Sequence, residues 1–268
     1  MTSSASYRSG VGPRKLPTVG ADLAVRGLSK AFGGVKAVRD CTFEISPGTI
    51  TGLIGPNGAG KTTAFNMING VFKPTSGTIH FCGADITRLP PHRVSRAGIG
   101  RTFQVTRVFE RMTVLENVVI HAGVGGIRAL AAPRIRKSEH ARACELLAFL
   151  GLHRLRDALA GTLSYGQRKL LELAGVLMAE PRLIMLDEPA GGVNPRLLED
   201  IVDRIHALHE SGVTFLIVEH NMDLVMSLCD SVVVMAEGHV LRQGTPREIQ
   251  ADDRVLSAYL GEAMGSIG

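Results

Sequence analysis

Apolar and polar positions along the chain switch between a short period and a helical one. Runs rich in β-branched residues at 49–54 and 78–82, bounded by Gly and Pro, predict strands closed by tight turns. From Lys61 the period lengthens, and Ala64, Phe65, Met67 and Ile68 predict a helix that Gly70 stops. Thr113-Val-Leu-Glu116 has capping-box spacing, so a helix is expected over 114–122. Another fits 139–150, with Leu146, Leu147 and Leu150 on its apolar face.

The second half alternates more regularly. A helix over 170–178 closes before Pro181, and 183–186 reads as a buried strand. Asn194-Pro195 has cap and first-turn chemistry for a helix over 195–209 that ends at Ser211-Gly212. Residues 213–218 read as a buried strand and 223–228 as a helix. A hairpin pairs 232–235 with 239–242 around Glu237-Gly238, and two short helices fit 245–268. Strands alternating with helices predict an α/β fold, a mostly parallel sheet covered on both sides and split by a helical insertion.

Composition narrows the class without changing that picture. Of 268 residues, 45% are hydrophobic and 21% charged, which fits a globular protein with a sizeable core. No stretch approaches the roughly 18 uncharged apolar residues of a membrane span. Residues 1–20 lack the apolar centre of a secretory signal and are expected to form a flexible, mildly basic tail, so export or anchoring by this chain is not expected. Cys41, Cys82, Cys144 and Cys229 lie far apart, which predicts buried, reduced thiols rather than a metal or redox site. The net charge of +5 comes with only 4% aromatic residues and no Trp, so nucleic acid is not an expected partner. Residues 123–138 carry Arg128, Arg134, Arg136 and Lys137 with no acid, as a solvated surface loop would.

Chemistry enters at Gly55-Pro56-Asn57-Gly58-Ala59-Gly60-Lys61-Thr62, which matches the phosphate-binding pattern between a predicted strand and a predicted helix. Glycines let backbone N–H groups curl around phosphates, and the helix N-terminus adds positive charge. Lys61 is expected to reach the β- and γ-phosphates of ATP, with Thr62 placed on Mg²⁺ and Thr63 beside it. The apolar run 183–186 delivers Asp187 and Glu188 to the sheet's C-terminal edge, where ligands bind in such folds. Asp187 is expected to hold Mg²⁺ and Glu188 to act as general base on an attacking water.

Between these two sites, Leu163-Ser164-Tyr165-Gly166-Gln167 resembles the LSGGQ signature of ABC ATPases. Gln104, within Arg101-Thr102-Phe103-Gln104, resembles their Q-loop; Gly191-Gly192-Val193-Asn194 resembles their D-loop, and His220 their switch histidine. Phe32 falls where that family packs an aromatic residue on adenine. The resemblance covers 21–243 and implies a RecA-like core, an antiparallel β-subdomain and an α-helical subdomain inserted at about 104–165 of a cassette spanning 21–268. It further implies a head-to-tail dimer in which Ser164, Gly166 and Gln167 meet ATP bound by the opposite chain. Gln104 would sense Mg²⁺ and water, and His220 would hold the γ-phosphate and orient that water. Two positions depart from the family pattern: Tyr165 stands for the first signature glycine, and Asn194 for the usual D-loop Asp.

The stretches at 32–38, 101–104, 112–118, 190–195 and 218–222 further resemble the ATP-binding subunits of branched-chain amino-acid importers, whose relatives take up urea or amides. That resemblance implies permease subunits spanning the membrane, a second ATPase (identical or related), an extracytoplasmic binding protein, and a place on the cytoplasmic membrane face. Residues 105–112 are expected to line a permease-docking groove through Val105, Val108, Phe109 and Met112, beside Arg107 and Arg111; packing within the helical subdomain accounts for them equally well. A soluble ABC ATPase of translation or DNA repair usually carries two cassettes or a coiled-coil insertion. A P-loop kinase would lack the signature, and a non-hydrolysing ATP-binding module would not need Glu188 and His220.

Overall fold

A computed structural model describes residues 22–102, 108–122 and 136–265. Two sheets make its framework. The larger has six strands in the order β10-β9-β3-β8-β7-β6, comprising β3 (Ile50–Ile54), β6 (Ile99–Arg101), β7 (Leu183–Asp187), β8 (Thr214–Val218), β9 (Ser231–Ala236) and β10 (His239–Gly244). Neighbours from β9 across to β6 pair in parallel, and only the edge strand β10 runs antiparallel.

Every residue of β3, β7 and β8 is buried, because both faces of this sheet are covered. Side chains alternate strictly between the two faces. Ile54, Ile184, Leu186, Phe215, Ile217 and Val234 point into one apolar cluster, and Leu53, Met185, Leu216, Val218 and Val233 into another. The first cluster is closed by α3 (Val114–Val119), α4 (Lys137–Phe149), α5 (Tyr165–Met178), α6 (Pro195–Glu210) and α7 (Met222–Leu228). On α6, Ile201, Ile205 and Leu208 are buried at helical spacing. Each is worth about 1.5–3 kcal/mol over exposure, far more than a surface ion pair on the same helix.

The second cluster is closed by α1 (Lys61–Ile68) and by the four-stranded antiparallel sheet β2-β1-β4-β5. That sheet comprises β1 (Leu23–Phe32), β2 (Val35–Ile45), β4 (Ser76–Phe81) and β5 (Ala84–Asp85). Its one-sided burial shows along β2, where Val38, Cys41, Phe43 and Ile45 turn inward and exposed residues stand between them. Helix α2 (Pro91–Ala97) leads into β6, and α8 (Pro246–Gln250) and α9 (Asp253–Gly265) follow β10.

The predicted elements are present, with shifted ends. Helix α5 begins at Tyr165, ahead of its apolar run, because Ser164 caps it. Helix α3 ends at Val119, short of residue 122. The cysteine expectation needs correction: Cys41 and Cys229 are buried, but Cys82 is exposed and Cys144 half-buried. Cys82 follows the end of β4 at a turn, where no second layer covers it. Most of the Arg-rich 123–138 stretch lies outside the described residues.

Candidate nucleotide site

Because β3, β8 and β7 are parallel neighbours, their C-terminal ends meet at one sheet edge. The glycine-rich loop leaves β3, Asp187 and Glu188 end β7, and Glu219 and His220 leave β8 between them. Residues from opposite ends of the cassette are thereby brought to one line.

The loop's shape needs glycine at two positions. Gly55 has φ 146°, and a Cβ there would lie 2.0 Å from the Met235 carbonyl oxygen. Gly60, at φ 96°, would place one 2.5 Å from the Ala37 oxygen on β2. At Gly58 the space is open and only the positive φ of 76° favours glycine. No side chain caps the N-terminus of α1, and a helix N-terminus suits phosphate oxygens. Pro56 is half-buried, Asn57 exposed, Ala59 buried, Thr62 exposed and Thr63 half-buried. Lys61 is buried, and its ammonium donates to the Gly55 oxygen at 2.6 Å and the Pro56 oxygen at 2.8 Å, folded over the loop.

Across the edge, Nε2 of His220 lies 2.9 Å from Oε1 of Glu188, whose backbone takes φ 50°. Asp187 is buried and meets the Arg101 guanidinium at 3.4 Å. Burial pushes the Asp187 carboxyl above the usual carboxylate range, against the downward pull of Arg101. Arg101 is itself held by the Asn66 amide oxygen at 2.7 Å and lies over the Phe65 ring, both on α1.

Phe32 ends β1 and is 43% exposed. Phe72 meets it edge-on at 5.2 Å, and the Lys30 ammonium stands 5.1 Å from its centroid. The β1–β2 hairpin sets this ring near the phosphate loop, since Ala37 on β2 abuts Gly60.

Ser164, Gly166 and Gln167 stand together at the start of α5. The Ser164 hydroxyl accepts the Gln167 N–H at 3.3 Å, and Gln167 Oε1 accepts the Ser164 N–H at 2.9 Å. Gly166 packs so closely on α6 that a Cβ would fall 2.0 Å from Leu197 Cδ2. Asn194 caps α6, its Oδ1 accepting the Leu197 N–H at 2.9 Å. Gln104 lies outside the described residues, as do Val105 and Arg107.

Two residues at this edge escaped the sequence reading. Buried Glu219 accepts the Ala190 N–H at 2.7 Å through Oε1, and the His220 and Asn221 N–H groups at 3.0 and 3.3 Å through Oε2. It ties the loop after Glu188 to the turn that carries His220. An acid directly after a mostly apolar strand was the available signal. Lys169 is the other: its ammonium donates to the carbonyls of Glu188, Pro189 and Gly191 at 3.2, 3.2 and 2.7 Å. A lysine on a helix surface gives no such signal.

The chain is similar to known proteins over most of its length. The ABC transporter family model matches residues 38–191, and that of the branched-chain amino acid ATP-binding cassette transporter matches 243–264. The high-affinity branched-chain amino acid transport ATP-binding protein BraF of Pseudomonas aeruginosa is 42% identical over 250 residues, covering 90% of this chain and 98% of its own. The corresponding LivG of Escherichia coli is 39% identical over 252 residues, with the same coverage. Among solved structures, the ADP conformation of MJ1267, an ATP-binding cassette of an ABC transporter, superposes with a TM-score of 0.80 at 36% identity, over 91% of this chain and all of that one. The chain therefore belongs to the ATP-binding proteins of the branched-chain amino acid ABC transporter family, ATPases that hydrolyse ATP for transport.

Proposed function

We propose that this chain powers an importer of branched-chain amino acids from the cytoplasmic membrane face, as one half of a head-to-tail ATPase pair. Residues 21–268 act as one cassette with the helical part inserted at about 104–165. The observation that carries the hydrolytic role is the 2.9 Å contact of His220 with Glu188, on the strand end beside Asp187 and one strand from the phosphate loop.

Lys61 exchanges the Gly55 and Pro56 carbonyls for phosphate oxygens, a swap that keeps a buried ammonium satisfied. Phe32 stacks on adenine with its ring braced by Phe72. Thr62 and Asp187, with Gln104, are the hard oxygen donors suited to Mg²⁺, and a carboxylate as buried as Asp187 favours a cation beside it. When bound, Mg²⁺ neutralises phosphate charge. Glu188 accepts the proton of the attacking water while His220 fixes the carboxylate and faces the γ-phosphate. Ser164, Gly166 and Gln167 present the positive end of α5 to ATP on the opposite chain.

The permease is proposed to dock in a groove of about 220 Å³ lined by Arg101, Val108, Phe109, Asn117, His121 and Leu171 among others. Phe109 is exposed there, whereas Val108 packs on the core, so Phe109 is the side chain to test. No helix among the described residues is long and apolar enough to cross a membrane, so that passage would lie in partner subunits.

The decisive experiment is Glu188→Gln. Turnover should fall about 10²- to 10⁴-fold while ATP stays bound, and membranes solubilised with ATP and Mg²⁺ should yield two permease subunits and a second ATPase on the tagged variant. Retained turnover would remove Glu188 as base. Recovery of only soluble partners would end the importer reading.

A further inference from the structure

Lys169 lies on α5, one turn beyond Tyr165, and is half-buried with its ammonium 5.4 Å from the centre of the Tyr165 ring. That ammonium donates to the loop after β7, at the carbonyls of Glu188, Pro189 and Gly191. Burial lowers its pKa, and the nearby Glu219, Glu172 and Glu188 carboxylates pull the other way. The Tyr165 ring leans on the same loop: a Cβ on Gly192 would lie 3.3 Å from its Cε1. Helix α5 therefore grips the loop twice, by an ammonium under 188–191 and a ring against 192.

Glu188 gains most from that grip. Its backbone sits at φ 50°, a left-handed conformation that a non-glycine residue holds at a cost and only when its surroundings impose it. On one side the Glu188 N–H donates to the Val218 carbonyl at 2.9 Å, and Glu219 fixes the Ala190 N–H. On the other side, Lys169 takes the Glu188 carbonyl itself. With both sides held, the carboxylate is aimed at His220.

We infer that Lys169 is a positioning residue for the catalytic glutamate, and that with Tyr165 it makes α5 a strut between the signature motif and Glu188 of the same chain. The inference rests on the ATPase reading above, with Glu188 as base. It also accounts for Tyr165. Where the family usually has glycine, this chain places a ring that packs on its own Glu188 loop. The N-terminus of α5 and the orientation of Glu188 then move together.

The test compares Lys169→Met, Lys169→Gln and Lys169→Arg in the full chain, measuring kcat, KM and the affinity for a fluorescent ATP analogue. The Met and Gln variants should lose about ten- to a hundredfold in kcat, the cost of a misplaced catalytic group, with analogue affinity within about twofold of the parent. Lys169→Arg, which keeps a cation that can reach the carbonyls, should recover at least about a third of the loss on a logarithmic scale. Parental kcat in both neutral variants would overturn the inference. So would a parallel loss of kcat and affinity that Arg does not relieve, since that marks general damage. A parent preparation without turnover that Glu188→Gln abolishes would instead fail the ATPase reading and leave the strut's geometry aside.

Discussion

The loop at 55–60 and the loop at 188–194 occupy equivalent places, each leaving a fully buried parallel strand for a helix at the same sheet edge. They are held by different means. The first is closed by backbone, with Lys61 from its own helix folded over it: the Met235 oxygen stands against Gly55 and the Ala37 oxygen against Gly60, leaving no volume for a side chain. Charged side chains reaching from elsewhere hold the second, Lys169 from α5 and Glu219 from the end of β8. A loop fixed by its own missing side chains has one shape. A loop fixed by neighbours takes its shape from wherever they stand, which suits a segment that must answer to a second site.

Gly55→Ala attacks the backbone-closed loop and should have the largest effect. The added methyl meets a carbonyl oxygen at 2.0 Å, and the φ of 146° is itself strained for alanine. Together these cost about 2–6 kcal/mol. Purified protein should show a large drop in melting temperature and no measurable ATP binding by calorimetry. Binding within a few-fold of the parent would show that the loop has slack its geometry denies.

The same contrast explains what could be read from sequence. The glycine spacing of 55–60 is local, because the residues that need to be small are the ones that form the loop, and strand and helix on either side gave its context. The caps at Thr113 and Asn194 were legible for the same reason, since each acts within three residues. Lys169 and Glu219 act across 19–22 and 29 residues on the backbone of another segment, and backbone carbonyls carry no residue identity to match. The buried pairing of Arg101 with Asp187 spans 86 residues and depended on β6 and β7 being neighbours, an order that hydrophobic pattern alone does not give. Cys82 was misjudged because wide cysteine spacing argues against a metal or redox site without saying whether a given position is covered.

Gly166→Ala probes the side-chain-held region and should separate binding from turnover. Its methyl would meet Leu197 Cδ2 at 2.0 Å, the far end of a half-buried side chain that can change rotamer for about 0.5–1.5 kcal/mol. Alanine also gains up to about 1 kcal/mol over glycine inside a helix, so the two effects nearly cancel in stability. The melting temperature should stay within about 2 °C, by the usual conversion for a chain of this size. ATP affinity of the single chain should be unchanged, while turnover falls, because the methyl and the displaced Leu197 side chain alter the seating of the α5 N-terminus proposed to meet ATP on the opposite chain. Parental turnover would mean that the seating of α5 on α6 has no bearing on hydrolysis.

Gly192→Ala asks which constraint holds the second loop at its tip. Two candidates coexist there: a φ of 68°, which disfavours any L side chain, and the Tyr165 ring, 3.3 Å from where the methyl would sit. Tyr165 is 45% exposed, so its ring can retreat by a few tenths of an ångström into solvent. Left-handed backbone offers no such relief and costs about 1–2 kcal/mol for a non-glycine residue. The single variant should therefore melt about 2–8 °C lower. Adding Tyr165→Gly should not restore it, and the interaction energy in a double-mutant cycle should stay below about 0.5 kcal/mol. A larger favourable coupling would place the constraint in the ring instead, and the tip of the Glu188 loop would then be set by the residue that departs from the family signature.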